Sequence, residues 1–480
     1  MSEAERSDVG GRVSESTATS VPADGKGPRD GRTIYRVFGG FDRLLARRSV
    51  GLALLVLAAV LPLLRQRGTP SWKTVWAEDG SLYTQQAITV GGLRVLLRGY
   101  MGYLQLPPRL LALPTPFFSL RYLAWYCSLV SVVVGALLAW CVYHWSRGWI
   151  GPRPMRFALA ALVVLMPALG PDSTAAITNL IWLFLAALPW ALISKEEGTL
   201  DVVGRSAVAV LGATSSLLSL FFLPLALGWL VYRRSKAAVV VTTSFAVGAV
   251  FQGAVALTSS TGANPSVAHR SVHNVVNIAE GEAGHVFGTF LLGTRGEFDL
   301  GTVSGVLAVA LPTIIVLAAL GVLAWGADRA VKVLAGGCVV TAIVLFAGTA
   351  WERGPGVYGL AQSSLALNTR YSVAPVMLIA SAFALLVTCR GAQRHRRSRR
   401  AGAPLFVVQT LVVIALCFSV TIERGQDPPW IGRVDHTFAQ HCVGRPGSVL
   451  AVVPNQISPI GFFKLPNGLF AMTVPCSHLS

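Results

Sequence analysis

Residues 122–146 read YLAWYCSLVSVVVGALLAWCVYHWS, an apolar run free of Asp, Glu, Lys and Arg and bracketed by Arg121 and Arg147. As an α-helix it would reach about 37 Å, enough to cross the roughly 30 Å hydrocarbon core of a bilayer. Ten further apolar runs surround it, at about 49–64, 156–170, 176–193, 203–214, 217–232, 237–258, 303–325, 332–350, 371–389 and 404–421. The 480-residue chain is 53% hydrophobic and 13% charged, about half the charge of a soluble domain, and its mean hydropathy is +0.59. An ordinary soluble enzyme is excluded. The expected fold is an all-α polytopic membrane protein with about eleven transmembrane helices.

The net charge of +18 would suit nucleic acid, but its distribution points to a membrane instead, and no nucleic-acid partner is expected. Arg147, Arg153, Arg156, Lys195, Arg329, Lys332 and the run from Arg390 to Arg400 all fall at alternate ends of the spans, as the positive-inside bias requires. The stretch 203–232 reads as one tilted helix or as two short ones turning at Thr214-Ser215-Ser216. Two helices put Arg233, Arg234 and Lys236 on the same side as the other basic residues. The N-terminus is then cytoplasmic and the C-terminus extracytoplasmic, in a plasma membrane.

Residues 1–33 carry almost no large apolar side chain and read as a disordered cytoplasmic tail. Ile34 to Leu45 reads as an interfacial lead-in to a transmembrane domain spanning 34–421. Outside the membrane this leaves loops 65–121, 259–302 and 351–370, and a tail, 422–480. The first loop is amphipathic around Leu82–Leu97 and Leu104–Leu120, as helices lying on the membrane or packed over a cavity would be. Loop 259–302 holds His269, His273 and His285 near Glu280 and Glu282, and reads as a polar loop rather than a metal site. In the tail, Cys442 and Cys476 are the only cysteines, and an oxidising compartment favours their pairing across about 34 residues. With the strand-like run Ser448–Val453 they describe a small disulfide-stapled lobe, too short to be a catalytic domain.

Candidate chemistry gathers outside. Trp76-Ala77-Glu78-Asp79-Gly80 places two carboxylates at the mouth of the membrane domain. Such a pair can take a proton from a hydroxyl or hold a divalent cation such as Mg or Mn; a solvated Asp-Gly turn is the plainer alternative. Tyr100 and Tyr103 follow, with Pro107-Pro108-Arg109 behind them. Aromatic faces stack on sugars, and an arginine held by prolines suits a phosphate. Arg370-Tyr371 precedes a late span, where an arginine at a helix N-terminus asks for an anionic partner or serves as an interfacial anchor. Asp172, Asn179 and Trp182 open the fourth span, lining a polar cavity or joining helices. No glycine-rich phosphate loop and no Gly-x-Ser-x-Gly is present, so ATP, NAD or acyl-transfer chemistry is not expected.

Together WAEDG, GYMGYLQLPPR, ITNLIW and NTRY on about eleven spans resemble the GT-C fold of polyprenyl-phosphate-sugar-dependent glycosyltransferases, actinobacterial members in particular. The resemblance covers about residues 45–421. It implies transfer of a sugar from a lipid-linked donor to a cell-envelope acceptor (glycan, lipid or protein), with inversion, by an enzyme surrounded by membrane lipids. It also implies that Glu78 and Asp79 act as general base or as metal or acceptor ligands. Of the two, Asp79 is expected to be the base and Glu78 the positioning group. Arg370, followed by Tyr371, matches the family's late-loop arginine that binds the lipid phosphate, and Arg109 would assist. The large soluble C-terminal domain of several members is here only the short tail.

Two other classes remain. A transporter or flippase would place ionisable residues inside the spans, and the runs hold essentially none. An O-antigen-type polymerase shares an outer site and would draw on arginines and a histidine in large outer loops, which 259–302 offers.

Overall fold

The computed structural model describes residues 38–100, 102–169, 175–258, 275–354, 357, 369–388, 396–419, 428–445, 447, 449–454 and 471–479. The tail 1–33, Asp172, His269 and His273 lie outside the described residues.

Each of the eleven apolar runs is helical. The first is α1 (Arg48–Leu63), followed in the loop by two short helices, α2 (Gln85–Thr89) and α3 (Leu106–Ala112). Then come α4 (Leu123–Trp145), α5 (Arg153–Leu165), α6 (Leu180–Ile193), α7 (Thr199–Ala213), α8 (Leu223–Arg233) and α9 (Lys236–Thr258). The stretch α10 (Val275–Glu282), a π-helical turn Ala283–Gly288 and α11 (Thr289–Val303) leads into α12 (Gly305–Trp325). α13 (Arg329–Arg353), α14 (Val373–Thr388) and α15 (Arg396–Leu416) complete the bundle. Among the described residues, four helical stretches are long and apolar enough to cross a membrane, or five if a bent pair at the start counts as one. Leu180–Ile193, Leu217–Arg233, Val309–Trp325 and Gly402–Leu416 are shorter apolar helices. The protein is a helical membrane protein.

The helices at the centre differ from those around them. All fourteen residues of α6 are buried, and Val373 to Val387 of α14 are buried almost throughout. A helix that is apolar on every side is stable only inside a shell of other helices or lipid, and here other helices supply it. α1 and α12 instead turn Leu52, Val56, Ile314 and Val322 outward. Close packing relies on small residues: a Cβ at Gly248 of α9 would stand 2.7 Å from Ala213 Cβ of α7. That is the glycine-mediated helix contact common in membranes.

Side-chain contacts sort the helix ends into two groups. At one end Arg153 meets Asp42 at 3.1 Å, Arg233 meets Glu197 at 3.1 Å, His144 meets Asp201 at 2.8 Å, and Arg147 pairs with Glu196. Arg205, buried in α7, donates to the carbonyls of Ala191, Leu192 and Glu196. It supplies the positive charge that the C-terminus of α6 lacks. The Arg233–Glu197 pair also settles the stretch 203–232. The start of α7 and the end of α8 are at the same end, so the chain goes out and returns, turning where Thr214–Ser216 was expected to turn it.

At the other end, here called the loop end, Arg65 donates to the carbonyls of Met166, Cys417 and Phe418 at 3.2–3.3 Å. Leu106 N–H donates to Thr214, and Leu104 N–H to the Gln252 side chain. The C-terminal lobe docks there too. Its helix α16 (Trp430–His441) buries Trp430, whose indole donates to Leu120 O at 2.6 Å. The strand expected at Ser448–Val453 is β1 (Leu450–Pro454), paired antiparallel with β2 (Ala471–Pro475). Cys442 and Cys476 form the expected disulfide, with Cα atoms 5.6 Å apart.

Two expectations are corrected. The first loop is not a pair of regular surface helices. Gly91 and Gly92, at φ +64° and +60°, break it into short helical pieces. Their apolar side chains Tyr83, Ala87 and Ala112 are buried against the bundle and the lobe, and Val95 is buried as well. The second correction concerns 259–302, read as a polar loop. From Val275 onward it is helical, and Glu282, His285 and Glu297 are buried. At Gly293, φ +75°, the chain kinks so closely to Cys417 and Val413 of the α15 end that no side chain fits.

Candidate functional site at the loop end

After α1 the chain crosses the loop end, and Trp76 and Ala77 are buried before the carboxylates appear. Asp79 begins a π-helical turn, Asp79–Thr84, closed by Thr84 Oγ1 donating to Asp79 O at 2.7 Å. Wide turns of this kind are rare and occur mostly at functional positions. The turn separates the two neighbours. Asp79 is fully buried. Its carboxylate accepts from the N–H of Ile177 at 3.2 Å, the N–H of Thr178 at 2.9 Å, and the Thr178 hydroxyl. These donors belong to the turn that starts α6, where backbone N–H groups lack helical partners and negative charge is favoured. Asp79 therefore ties the loop to the central helix. Glu78 is half-buried and has no hydrogen-bond or ion-pair partner among the described residues.

Around Glu78 stand tyrosines. Tyr100 and Tyr103 pair backbone to backbone (2.8 and 3.1 Å) across Gly102, whose φ of +84° calls for a glycine. Their rings are 6.4 Å apart. Burial pushes the Tyr83 and Tyr100 hydroxyls upward, and the negative charge of Glu78 adds to both shifts. Tyr103 rises for the same first reason, opposed by the positive charges of Arg353 and Arg370. Those two guanidinium groups flank Tyr371, at 5.9 and 5.3 Å from its ring centre. Trp182, from the first turn of α6, meets the same ring edge-on at 5.1 Å. The indole nitrogens of Trp76 and Trp182 are buried without hydrogen-bond partners, as sites that await a ligand often show. Asn179 is buried at the head of α6, three residues before Trp182.

Arg109 does not join this group as a free cation. It is buried; its Nε donates to Leu104 O, and Nη1 to the Gln86 side chain and Val95 O at 2.6 and 3.1 Å. It cross-links the pieces of the first loop, and burial lowers its pKa. Arg353 was missed from the sequence. A signal existed: it is a basic residue at the end of its run that the expected topology places outside, where the positive-inside bias disfavours one.

A divalent cation does not fit the acidic pair. Three donors already point at the Asp79 carboxylate, which leaves Glu78 alone, and hard cations need several oxygen ligands. Among the described residues the group with metal-like spacing is His144, Glu196 and Asp201 at the opposite end, where Glu196 is paired with Arg147. Deeper in the bundle, His285 Nδ1 lies 3.0 Å from Glu297, which also accepts from Thr289 Oγ1 at 2.8 Å. Glu282 is buried nearby in sequence with neither carboxyl oxygen hydrogen-bonded. No family model matches the chain, and no curated protein or solved structure matches it either.

Proposed function

We propose that the chain is a GT-C-type integral membrane glycosyltransferase that crosses the plasma membrane eleven times, with the loop end outside. It moves a sugar from a polyprenyl-phosphate donor to a cell-envelope acceptor with inversion. The observation that carries this reading is a carboxylate, Glu78, without a hydrogen-bond partner among the described residues, beside Tyr100, which in turn neighbours Tyr103, Arg353 and Arg370 at one end of the bundle. A donor anchored in lipid presents its phosphate at this depth, and planar guanidinium groups match phosphate oxygens. Glu78 takes the proton of the acceptor hydroxyl. The oxygen then attacks the anomeric carbon, and the carbon–oxygen bond to phosphate breaks with its electron pair leaving on the phosphate. Arg353 and Arg370 stabilise that charge as it develops. Asp79 holds the turn in place, and so we assign the base to Glu78 rather than Asp79.

The test uses the full chain in liposomes with a polyprenyl-phosphate-linked sugar. Glu78→Gln is expected to lower transfer by roughly 10²–10⁴-fold, the usual loss on removing a general base. Arg353→Ala and Arg370→Ala are expected to raise the KM for donor. Full transfer in all three variants would overturn the assignment. A transporter reading draws on Glu282, His285 and Glu297, the buried ionisable groups that transport paths need. Lipid movement across acceptor-free liposomes that stops in Glu297→Gln and continues in Glu78→Gln would favour it.

A further inference from the structure

From the arginine-rich end, an apolar groove of about 620 Å³ runs along α1, α4 and α5, its lining reaching from Arg47 to Leu61 and Leu165. Its floor is made of small side chains, Ala136, Ala139, Ala160 and Ala161, and Trp140 and Tyr143 form one wall. The chain reaches α1 through a right-angle bend, the short helix Phe38–Leu44 standing at 93° to Ser49–Leu63. Two contacts with α5 hold the bend. Asp42 accepts from the Arg153 backbone N–H at 2.9 Å and from its guanidinium at 3.1 Å, and Phe41 meets Phe157 edge-on at 5.8 Å. A helix lying flat before a spanning helix marks the depth of the lipid headgroups.

The mouth of the groove is positive. Arg47 lines it directly. Arg156 sits 4.7 Å over the ring of Tyr143, which also lines the groove. The Arg156 side chain is nine-tenths buried, and its Nε has no hydrogen-bond partner. A buried donor without an acceptor is costly and calls for one from outside the chain. The acid at the bend, Asp42, is already held by Arg153. An acyl chain fits the apolar floor, and Arg47 on the lining, with Arg156 against the Tyr143 wall, offers the positive charge that a phosphate requires. A zwitterionic headgroup would bring a cation towards the same arginines; an anionic one would not.

We propose that this groove binds an anionic diacyl phospholipid of the inner leaflet, its phosphate held by Arg47 and Arg156 and an acyl chain laid between α1, α4 and α5. The site stands independently of the glycosyltransferase reading, since none of its lining residues belongs to the group around Glu78.

Native mass spectrometry of the full chain from mixed micelles, with equimolar phosphatidylglycerol and phosphatidylcholine, tests it. The unaltered protein is expected to retain phosphatidylglycerol preferentially. Because a basic residue near a membrane surface adds about 1 kcal/mol of attraction, Arg47→Gln should lower that preference about fivefold, and with Arg156→Gln about thirtyfold. Arg47 is exposed, so its single variant folds whatever Arg156 does for the core. Arg43→Gln, an exposed arginine on the same bend outside the groove, should change nothing. Ala160→Phe should expel both lipids by filling the floor. No preference in the unaltered protein, or an equal fall in Arg43→Gln and Arg47→Gln, would overturn the proposal.

Discussion

The two ends of the bundle differ in how they hold most of their arginines, with one exception at each. Buried Arg205 at the basic end donates to main-chain carbonyls, and Arg121 at the loop end meets Asp435 in an exposed pair. At the basic end Arg147, Arg153 and Arg233 meet the carboxylates Glu196, Asp42 and Glu197, and each guanidinium is at least two-fifths exposed. At the loop end Arg65 and Arg109 are buried and donate to main-chain carbonyls, while Arg353 and Arg370 lie against Tyr371. Water screens the first set, so its ion pairs add little and mainly mark where the chain leaves the membrane. The second set acts as cross-links, because a desolvated guanidinium is costly unless hydrogen-bonded. Arg65 and Arg109 each use Nε and one Nη on three acceptors, and the other Nη of each has no partner among the described residues. Burial alone pulls Arg65 down to about 10. What remains at the loop end is Glu78, with no hydrogen-bond partner among the described residues, near Tyr83 and Tyr100, and Arg353 and Arg370 against Tyr371.

The contrast breaks most sharply on the two neighbouring acids. Glu78→Gln should abolish most transfer while leaving the thermal midpoint in detergent unchanged. Asp79→Asn should lower that midpoint first, because an amide presents N–H groups to a turn that already donates. Removing a charged acceptor from three buried donors costs roughly 3 kcal/mol or more. If both variants lose activity and neither loses stability, the assignment of roles is wrong.

The arginines provide the next comparison. Arg65→Met and Arg109→Met each strand several buried carbonyls and should destabilise the protein by roughly 3 kcal/mol. Arg147→Met, in an exposed pair, should cost about 1 kcal/mol or less. Denaturant titration followed by tryptophan fluorescence would measure both, and equal costs would erase the distinction between buried and exposed arginines.

A smaller and more local effect belongs to the lobe. Cys442→Ser should loosen it by roughly 2–4 kcal/mol, raising hydrogen exchange in α16 and β2 while the bundle keeps its protection. The smallest effect concerns Glu282, whose carboxyl burial pushes well above the usual range. The native state keeps that proton where the unfolded chain releases it. Stability therefore falls as pH rises past the ordinary carboxyl range, about 4.3, until the native group ionises. Glu282→Gln should flatten that slope and raise the thermal midpoint at neutral pH; a lower midpoint at every pH would show that the acid has a partner of its own.

Much of the fold was legible in the sequence because it depends on neighbours along the chain. Eleven apolar runs are helices, since a run without charges must satisfy its own backbone wherever water is scarce. The ends sort by charge, and the turn at Thr214–Ser216 follows from keeping Arg233 beside its fellow basic residues. The lobe's disulfide followed from two cysteines sharing one compartment. The site did not follow in the same way. Glu78 and Asp79 are adjacent and chemically alike, and only the π-helical turn sends one into Thr178, 99 residues away, and leaves the other without a hydrogen-bond partner among the described residues. Arg109 reads as a clamp, yet its hydrogen bonds to Gln86 and Val95 make it a strut. Arg353 reads as a helix terminus until Tyr371 brings it beside Arg370. Residues 275–303 read as a polar loop because their Glu and His residues resemble solvated ones, and only packing among α12, α13 and α14 buries them. Hydropathy and charge bias are properties of segments; the partner of a buried side chain is set by contacts between segments, which tertiary structure alone decides.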